Sequence, residues 1–233
     1  MPDQTKSSRA TVAVVDYGLG NLFSVKQACE YVGLGVTITN DPQEICSADA
    51  VILPGVGAFG DAMQALEKQR LVGTLRAVAE STTPLMGICL GMQLLLSESD
   101  EFGHHLGLGI IEGAVVRFDG SAVGPSTVKV PQVGWNQIRR LDSDTQQGGP
   151  SNRQPEPLFQ GLPDQEYMYF VHSYYAKPTD INVVVSTTTY GDVEFCSSLR
   201  SGSVFGCQFH PERSGPAGLK IYQNLASSLA AVL

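Results

Sequence analysis

Short apolar runs rich in β-branched residues alternate, in the first half of the chain, with stretches whose apolar positions recur every three or four residues. Residues 11–16 (TVAVVD) are one such run and read as a buried strand. Over 21–32, Leu22, Val25, Cys29 and Val32 fall on one face at helical spacing. Strands are expected at 35–39, 50–53 and 84–88, and helices at 64–80 and 90–97. Strand and helix in alternation predict a parallel sheet with helices on both faces.

Beyond about residue 106 the pattern changes. Strand-like segments at 109–118, 128–139, 167–174, 183–189, 193–199 and 204–209 are separated by turn residues, which predicts a more antiparallel layer beside the parallel sheet. The polar stretch 142–156, rich in Gly, Pro and Gln, reads as a surface loop. A final helix follows, with Leu219, Tyr222, Leu225 and Leu229 on one face. Residues 1–10 are polar, lack the apolar region of a secretory signal and read as a frayed tail. The remainder, 11–233, is expected to be one domain, since a single core grows to about 250 residues before chains split.

Composition mainly excludes. Fifteen basic against 23 acidic residues give a net charge of −8, and no Lys/Arg cluster supports a nucleic-acid or anionic-membrane role. The aliphatic runs are far shorter than the roughly 20 residues needed to span a bilayer. The five cysteines, Cys29, Cys46, Cys89, Cys196 and Cys207, form no CxxC and no zinc-finger spacing. Reduced thiols, a cytoplasmic location and no metal site are the expectation.

Chemistry enters at Gly87-Ile88-Cys89-Leu90-Gly91, a G-x-C-x-G between an apolar strand and a helix. A sharp strand-to-helix turn exposes the middle side chain, and its neighbours must lack Cβ to avoid collision, as in the serine nucleophile elbow. At a helix start, unpaired N–H groups and the dipole favour a thiolate. The same letters also fit a small buried cysteine in a plain turn, so a base elsewhere has to decide. Phe209-His210-Pro211-Glu212 offers one after an apolar strand. A carboxylate two residues on can accept the imidazole N–H and fix its tautomer. His172 competes as a base but has no adjacent carboxylate, and His104 and His105 lie in a Gly-flanked turn expected to be solvated. Gly18-Leu19-Gly20 lacks the third glycine of a dinucleotide fingerprint.

Pro54-Gly55-Val56-Gly57, the Cys89 motif extended to Met92-Gln93, and Phe209-His210-Pro211-Glu212 together resemble, in order and separation, the class I glutamine amidotransferase family over about residues 11–230. Three further motifs, Asp16-Tyr17-Gly18-Leu19-Gly20-Asn21, Val133-Gly134-Trp135-Asn136 and Tyr169-Phe170-Val171-His172-Ser173-Tyr174, are similar to the branch that serves as glutaminase subunit of imidazole glycerol phosphate synthases in histidine biosynthesis. The resemblance implies a flavodoxin-like three-layer α/β/α domain with a largely parallel central sheet and an added antiparallel β layer. It implies a triad of Cys89 as nucleophile, His210 as base and Glu212 as its orienter. The oxyanion donors would be the N–H of Leu90 and that of Val56 or Gly57, and glutamine would be held by Gly55, Gln93, His172, Ser173 and Tyr174. It implies no cofactor, and a cyclase partner, a (β/α)₈ barrel, reached through Asn21, Trp135 and Tyr169. One departure is Pro131-Gln132-Val133-Gly134, where the family more often has Pro-His-Met-Gly; Gln132 hydrogen-bonds but cannot become a cation. The residues leave open a glutaminase serving a different synthase, and a non-catalytic module on the same fold.

Overall fold

The computed structural model describes residues 9–118, 128–141 and 155–231. The expected tail, save its last two residues, and the expected loop at 142–156, save its last two, lie outside the described residues. In chain order the first half runs β1 (Thr11–Val15), α1 (Leu22–Tyr31), β2 (Gly35–Thr39), α2 (Pro42–Ser47), β3 (Ala50–Gly55), α3 (Phe59–Lys68), α4 (Leu71–Glu80), β4 (Leu85–Cys89) and α5 (Leu90–Leu94). The second runs β5 (Leu96–Ser99), β6 (His105–Leu106), β7 (Ile111–Arg117), β8 (Gln132–Arg140), β9 (Gln165–His172), β10 (Tyr174–Pro178), β11 (Val184–Tyr190), β12 (Val193–Ser201), β13 (Val204–Cys207) and α6 (Gly215–Ala230).

A nine-stranded sheet has the order β2-β1-β3-β4-β13-β12-β11-β8-β9. The five strands from β2 to β13 are parallel, and the four beyond are antiparallel. The order β10-β7-β5-β6 forms a second, mixed sheet. The alternating inward faces of the parallel strands explain the two cores. Ala13, Val15, Leu53, Leu66 and Leu71 pack on one side of the large sheet, and Val12, Val14, Val25, Ile52 and Ile221 on the other. Each Val, Leu or Ile side chain among them contributes roughly 1.5–3 kcal/mol when fully buried.

Four differences from the sequence expectation have local causes. The helix expected at 64–80 is two helices, α3 and α4, broken at Arg70, whose φ of 60° is left-handed. The break lets Leu66 and Leu71 both reach the core, and neither Gly nor Pro marks it. The helix expected at 90–97 stops at Leu94, and the chain turns into β5, where Leu96 pairs with Ile111 of β7 and Glu98 with Leu106 of β6. Helix α2 was passed over although Asp41 caps it, accepting the Gln43 N–H at 2.7 Å, and Pro42 occupies its first turn. His105 is not in a solvated turn but half-buried in β6, its ring so close to Gly60 that a Cβ there would come within 2.6 Å.

The parallel strands set the site. β3 lies beside β4 with Gly55 opposite Cys89, and β13 flanks β4 with Cys207 opposite Ile88. Their carboxyl ends, where open α/β sheets place ligand sites, therefore deliver the Val56–Gly57 turn, Cys89 and His210 to one edge. Helix α5 crosses β3 closely enough that a Cβ on Gly91 would stand 1.8 Å from the Leu53 carbonyl oxygen. Gly91→Ala is expected to cost about 3 kcal/mol or more in urea unfolding, since backbone must move. Gly73→Ala, on the open face of α4 with nothing within 4 Å, is expected to be neutral or to stabilise by up to about 1 kcal/mol.

Candidate active site

Cys89 ends β4 and caps α5 with φ 54° and ψ −111°, a conformation that L-residues avoid. Strain of this kind is of the order of 1–3 kcal/mol and persists only where the surroundings enforce it. Here the Gly91 crossing enforces it, and Gly87 permits it, since a Cβ there would lie 2.8 Å from the Gly91 carbonyl oxygen. Cys89 is 6% exposed. Its Sγ lies 3.9 Å from the Val171 carbonyl oxygen, and the Gln208 Nε2 donates to it at 3.7 Å. With only five residues, α5 makes little more than one turn, so its dipole is small, and the Gln208 amide supplies an N–H donor to the sulfur.

Gln208 was not singled out in the sequence, although a glutamine closing the apolar run of β13 was a signal. It is fully buried, and its Oε1 accepts from Gln93 Nε2 at 3.0 Å. Gln93 Nε2 also donates to the Tyr174 carbonyl at 2.8 Å, so an amide relay links the wall at Tyr174 to the sulfur.

His210 follows β13, and Pro211–Arg213 form one 3₁₀ turn beneath it. Its Nδ1–H donates to Glu212 Oε1 at 2.8 Å, with the two side chains only 4% and 1% exposed. The His210 N–H donates to the Tyr169 carbonyl, and Ser214 Oγ ties the turn down by donating to the His210 carbonyl at 2.7 Å. Helix α6 presses on the same turn, a Cβ at Gly218 falling 1.9 Å from the Pro211 carbonyl oxygen. Nε2 is buried and has no hydrogen-bond partner among the described residues. Burial acts to lower the His210 pKa, but the charge of Cys89, contact with its sulfur, and the Glu212 hydrogen bond and charge outweigh it and lift the imidazole to about 10.

His172 is treated in the opposite way. Burial pulls its pKa down to about 4; the hydrogen bond to the Tyr174 carbonyl works upward, and the neighbouring His210 adds to the fall. Its Nδ1 sits 2.8 Å from that carbonyl, which only accepts, so the ring is a neutral donor there rather than a base.

A cleft of about 300 Å³ collects most of the residues singled out in the sequence. Cys89, His210, Val56, Gly57, Leu90, Gln93, His172, Ser173 and Tyr174 line it. Gly55 is not brought to its wall: it is buried in β3, where a Cβ would meet the Tyr17 hydroxyl at 2.6 Å. Glu212 stands behind His210 instead of facing the cleft. Asn21, before α1, and Trp135 and Tyr169 lie outside it. Trp135 is 56% exposed on β8, its ring 6.1 Å from that of Tyr169 on β9, and Arg213 stacks over Tyr169. Two wall residues were missed in the sequence. Pro131 is one, and Glu101 is the other, held by accepting the Phe59 N–H at 2.7 Å. Among the described residues no His, Cys, Asp and Glu group could hold a metal ion, and no helix is long and apolar enough to cross a membrane. The arrangement is a sulfur nucleophile, an oriented imidazole and nearby backbone N–H groups, the parts of a covalent acyl-transfer site.

Comparison with known proteins agrees with that chemistry. Residues 13–228 match the family described as glutamine amidotransferase class-I. The chain is 46% identical over 213 residues to imidazole glycerol phosphate synthase subunit HisH of Moorella thermoacetica, covering 91% of this chain and 92% of that one. It is 47% identical over 214 residues to the subunit of the same name from Syntrophotalea carbinolica, covering 91% and 98%. Among solved structures, that of PurLQS from Thermotoga maritima matches with a TM-score of 0.71 at 20% identity, covering 95% of this chain and 99% of that one, a likeness of fold.

The lowered His172 makes stability depend on pH in a stated window. Between about 6.5 and 4 the unfolded chain takes up a proton that the folded one refuses, so stability falls as pH falls through that range and no further below it. A shift of this size corresponds to the order of 3 kcal/mol. Urea unfolding from pH 7 to pH 4 is expected to show this loss in the native chain relative to His172→Gln, which lacks the titrating ring.

Proposed function

Because the chain belongs to the class I glutamine amidotransferase family, we propose that it is the glutaminase subunit of an imidazole glycerol phosphate synthase, releasing ammonia from glutamine for a cyclase partner in histidine biosynthesis. The identity of 46% and 47% over nine-tenths of the chain to subunits of that name carries this reading, and the cleft joining Cys89 to the His210–Glu212 pair supports it.

In this mechanism glutamine lies with its side-chain amide carbon against Cys89 Sγ. The thiolate adds to that carbon, and the oxyanion takes N–H bonds from Leu90 and from Val56 or Gly57. Donors of this kind are worth about 3–4 kcal/mol each. The His210 imidazolium protonates the departing nitrogen, ammonia leaves and a γ-glutamyl thioester remains. Water then gives its proton to His210 Nε2 and adds to the thioester, and the sulfur departs as thiolate with glutamate. Glu212 keeps Nδ1 protonated throughout, so that Nε2 is the nitrogen that exchanges protons. Gln93 and the Ser173–Tyr174 backbone hold the amino-acid end of the substrate, and Glu101 supplies a negative charge for its ammonium group. No cofactor enters these steps.

Ammonia set free in water becomes ammonium, so the product must pass to a partner. The partner is a cyclase subunit with a (β/α)₈ barrel, paired one to one in the cytoplasm. Its docking face is the exposed stripe of β8 and β9, where Val133 lies opposite Val171 and Trp135 opposite Tyr169. Val171 also belongs to the cleft wall, so the stripe reaches the cleft mouth.

Glutamate release measured for the chain alone, with the cyclase, and with cyclase plus its phosphoribulosyl ligand tests the assignment. Strong stimulation in the last mixture is expected, and Cys89→Ser should lower it by about a thousandfold. Equal activity in all three mixtures would move the chain to another pathway. The pH profile tests the triad separately. Since His210 must carry a proton, kcat/KM is expected to fall as pH rises through about 10. Glu212→Gln removes a charge that raises His210 and leaves a neutral amide oxygen as the acceptor, so its falling limb should move to lower pH.

A further inference from the structure

We propose that Gln132 is a positioning residue whose carboxamide bonds Nε2 of His172, directly or across one water, and so fixes the cleft wall formed by residues 172–174. The β8–β9 register sets Gln132 directly opposite His172. Side chains so paired share a face of the sheet, with Cβ atoms about 4.5–5.5 Å apart. Both are buried, 3% and 6% exposed, and both nitrogen and oxygen of the Gln132 amide, together with His172 Nε2, are shielded from solvent without a partner. Buried polar atoms left unpaired are costly, and three in one place call for one another or for an ordered water.

Their chemistry matches. Because His172 Nδ1 donates to the Tyr174 carbonyl, Nε2 presents a bare lone pair, and the Gln132 amide carries two N–H donors. The ring has few alternatives. Phe118 and Phe195 stand with centroids 5.2 Å from it and Phe170 at 5.7 Å, an aromatic enclosure with no hydrogen-bond donor. The enclosure restrains the imidazole, so closing the contact falls to rotation about the Gln132 side-chain bonds or to a bridging water.

The contact also completes a polar line. From Gln132 it runs to His172, to the Tyr174 carbonyl, to Gln93, to Gln208 and to Cys89 Sγ. Strand β8 presents Val133 and Trp135 outward and Gln132 inward, so this line starts on the strand that carries the docking stripe. The role given to Gln132 in holding glutamine rests on the glutaminase reading; the contact itself does not.

Full-length protein labelled with [15N]histidine tests it. In the native chain the His172 Nε2 resonance is expected at the position of a hydrogen-bonded acceptor, and Gln132→Leu should move it to that of an unbonded nitrogen while leaving the His210 resonances in place. Gln132→Glu, which offers an acceptor in place of a donor, should draw a proton onto Nε2 near neutral pH and give imidazolium shifts. Alongside, Gln132→Leu should raise KM for glutamine about fivefold and lower kcat less than twofold in the cyclase complex. An unbonded Nε2 in the native chain overturns the proposal even if neither variant folds, and so does a resonance indifferent to both substitutions. A bonded Nε2 in a chain that releases no glutamate in any mixture upholds the contact and removes the glutaminase reading instead.

Discussion

The site depends on one close approach: helix α5 crosses strand β3 where Gly91 leaves no room for a Cβ above the Leu53 carbonyl. That crossing forces the chain to reverse within a residue at the end of β4, which puts Cys89 at positive φ and turns its sulfur toward the sheet edge. Once the sulfur is fixed, β3 and β13, as neighbours of β4 in a parallel sheet, bring the Val56–Gly57 turn and His210 to it from either side. A short backbone contact between two ordinary elements therefore determines where three separate stretches of sequence meet.

Burial is then used in two ways on two histidines. Both lie in the same low-dielectric surroundings, which disfavour a charged ring. His210 has a carboxylate on one side and sulfur on the other, and becomes a ring that keeps its proton. His172 has a carbonyl and three phenylalanines, and becomes a ring that stays neutral. The partners, not the depth, divide the proton-transferring residue from the one that shapes the wall.

Much of this was legible in the sequence, and what was not has physical reasons. Cys89, His210 and Glu212 stand in short local motifs, because a sharp turn and a two-residue spacing are local requirements. The alternation of the first half fixed the parallel sheet in the same way. Gln208 and Glu101 escaped notice because their roles arise from contacts with Gln93, Cys89 and Phe59 that only the fold creates. The strand read at 167–174 breaks at Ser173, and its last residue, Tyr174, opens β10 in the other sheet. Gly55 was assigned to substrate by its motif, and the structure gives it a packing reason beneath Tyr17.

The large sheet ends, among the described strands, at β9, and the exposed faces of β8 and β9 carry Val133, Trp135, Tyr167 and Val171. The 210–214 turn covers the outer edge of β9, the His210 N–H donating to the Tyr169 carbonyl and the Tyr169 N–H to Ser214 Oγ, so the exposed apolar face is the surface open to wrong association as well as to right. A copy with this stripe bare is thus the one open to self-association through it. Whatever covers that stripe would therefore guard the chain against self-association, apart from any part it plays in catalysis.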